Sequence, residues 1–285
     1  MEPFVLSAPT GLSGCTVFSS PHSGAYYPTE FLRSSQLDPL TLRSSEDAFV
    51  DDLFAAAPTH GAPLLAATFP RAYVDLNRAV GELDPAAIDI PRRPGLNPRI
   101  AAGLGVIPRV VAEGRVIRSG RMTLTEAQAR LAQVHAPYHT ALHHLLQTAR
   151  ADHGLAIVID CHSMPHEALR LQTLPGGRQR PEIVLGDRFG TSCATWVTDL
   201  AYEAFTAAGF VVACNAPFAG GHITETYGVP SLGTHALQIE IDRSLYMDER
   251  RVARLPDFAA VRDRLTPVIA TLARAGQSSQ ALAAE

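Results

Sequence analysis

Lysine is missing altogether: each of the 24 cationic residues is an arginine. Schiff-base catalysis and pyridoxal phosphate anchoring need a lysine amine, and a Walker loop needs its lysine at the phosphates. All three are excluded. A carboxylate or phosphate on the substrate must be met by arginine, which offers paired N–H donors. A basic excess is missing too. The formal net charge is -4, and only 18% of residues are charged, against the usual quarter. No nucleic-acid partner is expected from such a balance. No apolar run approaches the ~20 residues of a membrane span, and the N-terminus has no basic stretch leading into an apolar one. No membrane association is expected. Cys15, Cys161, Cys193 and Cys214 show neither C-x-x-C nor disulfide-framework spacing, so they read as reduced thiols of a cytoplasmic protein. The G-x-S-x-G elbow is absent. "GLGVIP" (103–108) lacks the third glycine of a dinucleotide fingerprint.

What is present is a large core and an alternation of elements. Apolar residues make up 46% of 285, enough for one domain spanning 1–285. Strands are expected at 15–20, 63–69, 72–76, 155–160, 182–186, 210–214 and 236–242. Helices are expected at 47–57, 123–151 with a break or kink at Pro137, 192–208 and 255–274. Residues 80–122 are rich in proline, glycine and arginine without a period, which suggests an excursion able to act as a lid. Residues 276–285 read as a loose tail. Strand–helix alternation predicts an α/β fold with a mostly parallel or mixed sheet.

In such folds sites form at the carboxyl ends of strands. There the sequence places "SSPHSG" with His22, "DLNR" with Asn77 and Arg78, "IDCHSMP" with His162, and "LQIEIDR" with Glu240 and Arg243. Glu46 and Asp47 open a helix. Catalytic zinc takes three protein ligands and leaves one position open. His22, His162 and either Glu46 or Asp47 suit the ligand role, Glu240 a general base, and Arg78 a clamp on a substrate carboxylate. In "SSPHSG" the glycine is expected to supply a tight bend and the proline to end the strand. Glu240 has a competing reading as the solvated face of an edge strand shared with Gln238 and Asp242. Cys161 and His162 should point to opposite faces, which argues against a thiol nucleophile. His135, His139 and His143 recur at every fourth position, a spacing that can chelate metal, with His144 beside them; without an H-E-x-x-H glutamate they read as a helix surface, with Tyr138 and His139 packing beside the proline kink.

Seven ordered segments, "SSPHSGAYYP", "EDAFVDDLF", "FPRAYVDLNRA", "PYHTAL", "IDCHSMP", "FAGGHITETYG" and "HALQIEIDRSLYMDE", resemble the N-formylglutamate amidohydrolases from about Val17 to Glu249. The resemblance implies a zinc carboxypeptidase-like α/β/α sandwich around a mixed, mostly parallel twisted sheet. It implies Zn2+ on His22, Asp47 and His162, and Glu240 as base. Asn77 and Arg78 are implied in substrate binding, with Arg71 or Arg78 beside the oxyanion and Arg243 near the substrate. The substrate implied is a small N-acyl amino acid, N-formyl-L-glutamate first. Glu225 departs from the family pattern, which has a basic residue nearby, and this bears on the choice of substrate. Another N-acyl amino acid or small peptide is the nearest alternative. A catalytically silent metal or small-molecule binding protein is the alternative of another class. The sequence gives no oligomeric state.

Overall fold

The computed structural model describes residues 1–9, 14–91, 97–169 and 180–276. Part of the expected excursion (92–96) and nearly all of the expected tail (277–285) lie outside the described residues. Seven strands form one sheet: β1 (Phe4–Ser7), β2 (Thr16–Ser20), β3 (Leu64–Ala67), β4 (Ala156–Met164), β5 (Ile183–Gly186), β6 (Val212–Cys214) and β7 (Thr234–Asp242). Their order is β1-β3-β2-β4-β7-β5-β6. The pairs β3/β2, β2/β4, β4/β7 and β5/β6 are parallel, while β1 on β3 and β5 on β7 are antiparallel. The sheet is therefore mixed and mostly parallel.

β4 and β7 lie in its middle. Both faces are covered, so both strands are apolar without strict alternation. Val17, Ala156, Val158 and Ala236 pack under the helix Ala136–His153. On the other face Phe18, Ile157, Ile159, Leu237 and Ile239 meet the helices Thr195–Ala207 and Phe258–Ala273. Ile157, Val158 and Ile159 are fully buried, each contributing about 1.5–3 kcal/mol. The period of two then positions the site. Following the face of Ala156 and Val158 along β4 reaches Asp160 and His162; following Ala236 along β7 reaches Gln238 and Glu240. These polar side chains share a face with the second core but lie beyond its apolar part, at the carboxyl ends. Residues 80–122 also feed that core, through Ile88, Val106, Ile107, Ile117 and Met122.

Three expected elements take other forms. Residues 72–76 form turn and coil, because β3 already has β2 on one edge and β1 on the other. The helix expected at 47–57 shrinks to Val50–Leu53 and a separate turn at Ala57–His60. Its start is delayed because Asp47 donates its backbone N–H to the His22 carbonyl (3.0 Å) and Phe49 adopts φ +66°. In the third, Pro137 sits in the first turn of the helix Ala136–His153, directly after a π-helical turn at Leu131–His135. A proline is tolerated in a first turn, where its missing N–H has no required partner, and in the π-turn before it the Ala136 N–H donates back to the Leu131 carbonyl. Among the described residues no helix is long and apolar enough to cross a membrane.

Candidate active site and metal centre

His22 follows β2, and its turn is fixed by packing rather than by left-handed backbone. Gly24 is not among the glycines with positive φ, so its expected role as a bend is corrected. A Cβ there would overlap the Phe69 carbonyl; the glycine permits close approach of two backbones. Asp47 reaches the same place from the loop before Val50–Leu53, and His162 from β4.

All three are buried, and one donor atom from each lies within 4.8 Å of the others. His162 Nδ1 is 2.9 Å from Asp47 Oδ2, and His22 Nδ1 is 3.3 Å from the same oxygen. The imidazoles meet edge to face at 4.8 Å. Behind each ring stands a carboxylate. His22 Nε2 is 2.7 Å from Asp75 Oδ1, and His162 Nε2 is 3.0 Å from Asp160 Oδ2. Holding Nε2–H this way turns Nδ1 of both rings toward Asp47, the arrangement that orients metal-binding histidines. Arg243 donates to Asp47 Oδ1 from Nη2 (2.8 Å), and Ser163 Oγ donates to it at 3.2 Å.

Burial would raise the Asp47 carboxyl, but the hydrogen bond from His162, the nearby His22 ring and the Arg243 charge hold it well below the usual range. Burial likewise opposes charge on His162, and the carboxylates of Asp160, Asp47 and Glu240 outweigh it, so its pKa lies well above the ordinary value. Glu240, paired in register with His162 and 7% exposed, is pushed up to about 7, by burial first and with Asp47 adding to it against the His162 charge. Its Oε1 accepts from Gln238 Nε2 at 2.9 Å. The edge-strand reading of Glu240 fails because β7 has neighbours on both sides.

The residues present fit a divalent zinc-type ion. His22 Nδ1 is buried without a hydrogen-bond partner, and two imidazoles with one ionised carboxylate match the donor set of open catalytic zinc sites. Glu46 is placed elsewhere: Arg43 Nε and Nη2 donate to it at 3.0 Å, and Tyr27 Oη at 2.6 Å.

A cavity of about 830 Å³ opens onto the cluster, lined by His22, Asp47, His162, Glu240 and the arginines Arg71, Arg78, Arg99 and Arg243. Arg78 Nε is buried with no hydrogen-bond partner; Asp75 Oδ2 is 3.7 Å from it, and Glu82 Oε2 is 3.9 Å from Nη1. Arg71 donates to Asp75 Oδ2 at 2.9 Å. Arg243 also faces the cavity, but Asp47, Ser163 and the Ser44 carbonyl occupy its donors, so it serves Asp47 more than the open space. Asn77 Nδ2 is 3.1 Å from Asp160 Oδ2 and 3.0 Å from His162 Nε2, and its Oδ1 accepts from the Ile223 N–H at 2.7 Å. A Cβ on Gly221 would come within 2.5 Å of Asn77. Glu225 accepts from Arg188 at 3.0 Å and is largely exposed. Cys161 points into the apolar core on the opposite face, where burial pushes its thiol far up.

Sequence reasoning gave no role to Asp75 and Asp160 as partners of the two imidazoles. Asp160 had a signal, since it shares a strand face with His162 two residues on. Asp75 had none, because it lies in a coil. The helix-surface reading of the histidines is corrected as well. His143 and His144 are exposed, but His135 is buried and His139 half-buried, since the π-turn rotates their face inward toward residues 76–78. Burial holds His135, His139 and His222 below the ordinary histidine value, His139 at about 3. A histidine depressed in the fold costs stability as pH falls below its unfolded value near 6.5, since the unfolded chain takes up the proton. In chelator-treated protein, acidification from pH 7.5 to 5.5 should therefore cost wild type about 1.4 kcal/mol more than His139→Gln. Denaturant melts at the two pH values measure this, and equal losses would refute it.

A family model for N-formylglutamate amidohydrolase matches residues 14–247. An N-formylglutamate deformylase of Pseudomonas aeruginosa is 31% identical over 241 residues, covering 82% of each chain. One from Pseudomonas putida is 30% identical over 240 residues, again with 82% of each chain covered. The crystal structure of an N-formylglutamate amidohydrolase from Ralstonia eutropha JMP134 superposes with TM-score 0.90 at 35% identity, covering 98% of this chain and all of the other. With the matched region spanning every strand from β2 to β7, this chain belongs to the N-formylglutamate amidohydrolase family.

Proposed function

We propose that this protein is a zinc-dependent amidohydrolase that cleaves the amide bond of N-formyl-L-glutamate, giving formate and L-glutamate. The observation that carries the reading is the meeting of His22, Asp47, His162 and Glu240 at the foot of an arginine-lined cavity. His22, Asp47 and His162 would hold the ion, which supplies Lewis acidity to the acyl oxygen and lowers the pKa of water. Glu240 takes the proton of the attacking water and passes it to the leaving amine. Its raised pKa suits both halves of that task, because a base that also acts as an acid works best near the operating pH. Arg78, with an unpartnered buried donor, binds a substrate carboxylate, and Arg71, held on the same Asp75 oxygen, supports it. Asn77 donates to Asp160, the carboxylate behind His162, and closes that side of the cavity. Arg71, Arg78 and Arg99 along the cavity favour a dicarboxylate over a neutral side chain. Arg243 holds Asp47 ionised and in place. Three layers, helices on both sheet faces and a site at the carboxyl ends of parallel strands are consistent with a zinc carboxypeptidase-like arrangement.

Formate release over a panel of N-formyl amino acids, with and without added zinc, tests the reading. N-Formyl-L-glutamate should give the highest kcat/KM, and a chelator should abolish turnover until zinc is restored. A zinc-loaded protein that turns over no N-acyl amino acid would leave the binding-protein alternative standing.

A further inference from the structure

A second histidine cluster lies away from the ligands just described. His135 closes the π-turn, His139 stands one helical turn further on, and their rings stack at 4.2 Å. His222 opens the short helix His222–Tyr227 and meets His139 edge-on at 5.7 Å. One ring nitrogen from each of the three lies within 4.8 Å of the others.

A separate observation concerns the protons. His135 Nε2 is 2.9 Å from the Arg78 carbonyl, and His139 Nε2 is 2.9 Å from the Leu76 carbonyl. A carbonyl can only accept, so both Nε2 atoms carry hydrogen, and in the neutral rings Nδ1 keeps its lone pair. Backbone carbonyls holding the far N–H are a usual support of a metal-binding histidine. Burial favours the neutral form of all three rings, so no proton need be expelled near pH 7. At His139 Nδ1 a ligand would replace only the Tyr227 hydroxyl (2.9 Å), which has the His139 carbonyl at 3.3 Å as another acceptor. At His222 it would replace the Thr226 hydroxyl, 3.1 Å from Nδ1.

We propose that His135, His139 and His222 form a second site for a divalent transition-metal ion of the class that favours imidazole, such as zinc, cobalt or nickel. Three neutral imidazoles leave the ion its full double charge and one open position. The site is therefore weaker than one with an ionised carboxylate. It also grips the loop that serves the first cluster. The Leu76 and Arg78 carbonyls flank Asn77, whose side chain reaches His162 and the Ile223 N–H, one residue past His222. Loading the second site ties both ends of that linkage together.

Cobalt titration of chelator-treated protein, read by the visible absorption of nitrogen-bound cobalt and by equilibrium dialysis, tests the proposal. Wild type should take up two ions per chain in a tight and a weak phase. The weak phase should survive in Asp47→Asn and weaken at least about ten-fold in His222→Ala. A wild-type measurement guards against misfolding of a variant. Nitrogen NMR of the histidine rings should show Nδ1 of His135 and His139 shifting as zinc exceeds one equivalent. One ion per chain in wild type, a weak phase indifferent to His222→Ala, or unshifted Nδ1 signals would each overturn it.

Discussion

Glu240→Gln is expected to lower kcat by about 100- to 10,000-fold, the range for loss of a positioned general base, while zinc content stays at that of wild type. The substitution is nearly isosteric. The Gln238 amide that now donates to Glu240 Oε1 at 2.9 Å can donate to the new amide oxygen, so β7 keeps its local bonding. None of His22, Asp47 and His162 is altered, and KM should change little, because the glutamate acts on the attacking water. The wild-type pH profile follows from the same residue. A base works only when deprotonated, so kcat/KM should rise about ten-fold per pH unit below its pKa and level off above it. Burial raises that value to about 7; a cation at the neighbouring ligands favours the carboxylate, placing the rising limb of the zinc-loaded enzyme below 7. In Glu240→Gln this limb should vanish. Formate release by stopped assay, alongside metal analysis, measures both. Full activity in a zinc-bound Glu240→Gln protein would remove Glu240 from the mechanism.

Asp47→Asn should be still more damaging, because Asp47 does two jobs. In the proposed site it is the anionic ligand, and it neutralises Arg243, whose side chain is only 7% exposed. Loss of the carboxylate should weaken zinc binding more than about 100-fold, beyond what loss of a supporting hydrogen bond costs. It also leaves the Arg243 guanidinium buried without its counter-charge, a defect of about 3–5 kcal/mol. The variant should therefore lose activity at ambient zinc and melt at lower temperature than wild type. Glu46→Gln is the matched control. It weakens the Arg43 pairing but touches neither imidazole, so zinc affinity should hold. Zinc titration followed by thermal melts separates the two. Tight zinc binding in Asp47→Asn, or its loss in Glu46→Gln, would reverse the assignment of the acidic ligand.

Much of this was legible in the chain itself. The run at 155–160 is continuous and β-branched, so it could be little other than a buried strand, and the polar residues after it had to lie at the rim of the sheet. His162 follows from that reasoning, Glu240 from the same rule applied to the strand at 236–242, and His22 from its place just after the strand at 15–20. The complete lack of lysine fixed in advance that arginine would meet any carboxylate. These features are local: they depend on periodicity, on strand ends and on residue type.

The rest depended on contacts distant in sequence. Nothing in "SSEDAF" separates Glu46 from Asp47; Arg43 and Tyr27 claim one, and two imidazoles from β2 and β4 claim the other. Asp75 sits in a coil that no period reveals, yet it sets the orientation of His22 from 53 positions away. Glu240 kept a second reading, as part of a solvated edge, until the strand order put β7 between β4 and β5. The histidines near Pro137 looked like surface until a π-turn, which has no sequence period of its own, rotated them inward. Residue type and periodicity determined which groups reach the carboxyl rim of the sheet. Only the tertiary structure decided which of them pair, because partner choice among like charges rests on distances between segments that the linear order does not encode.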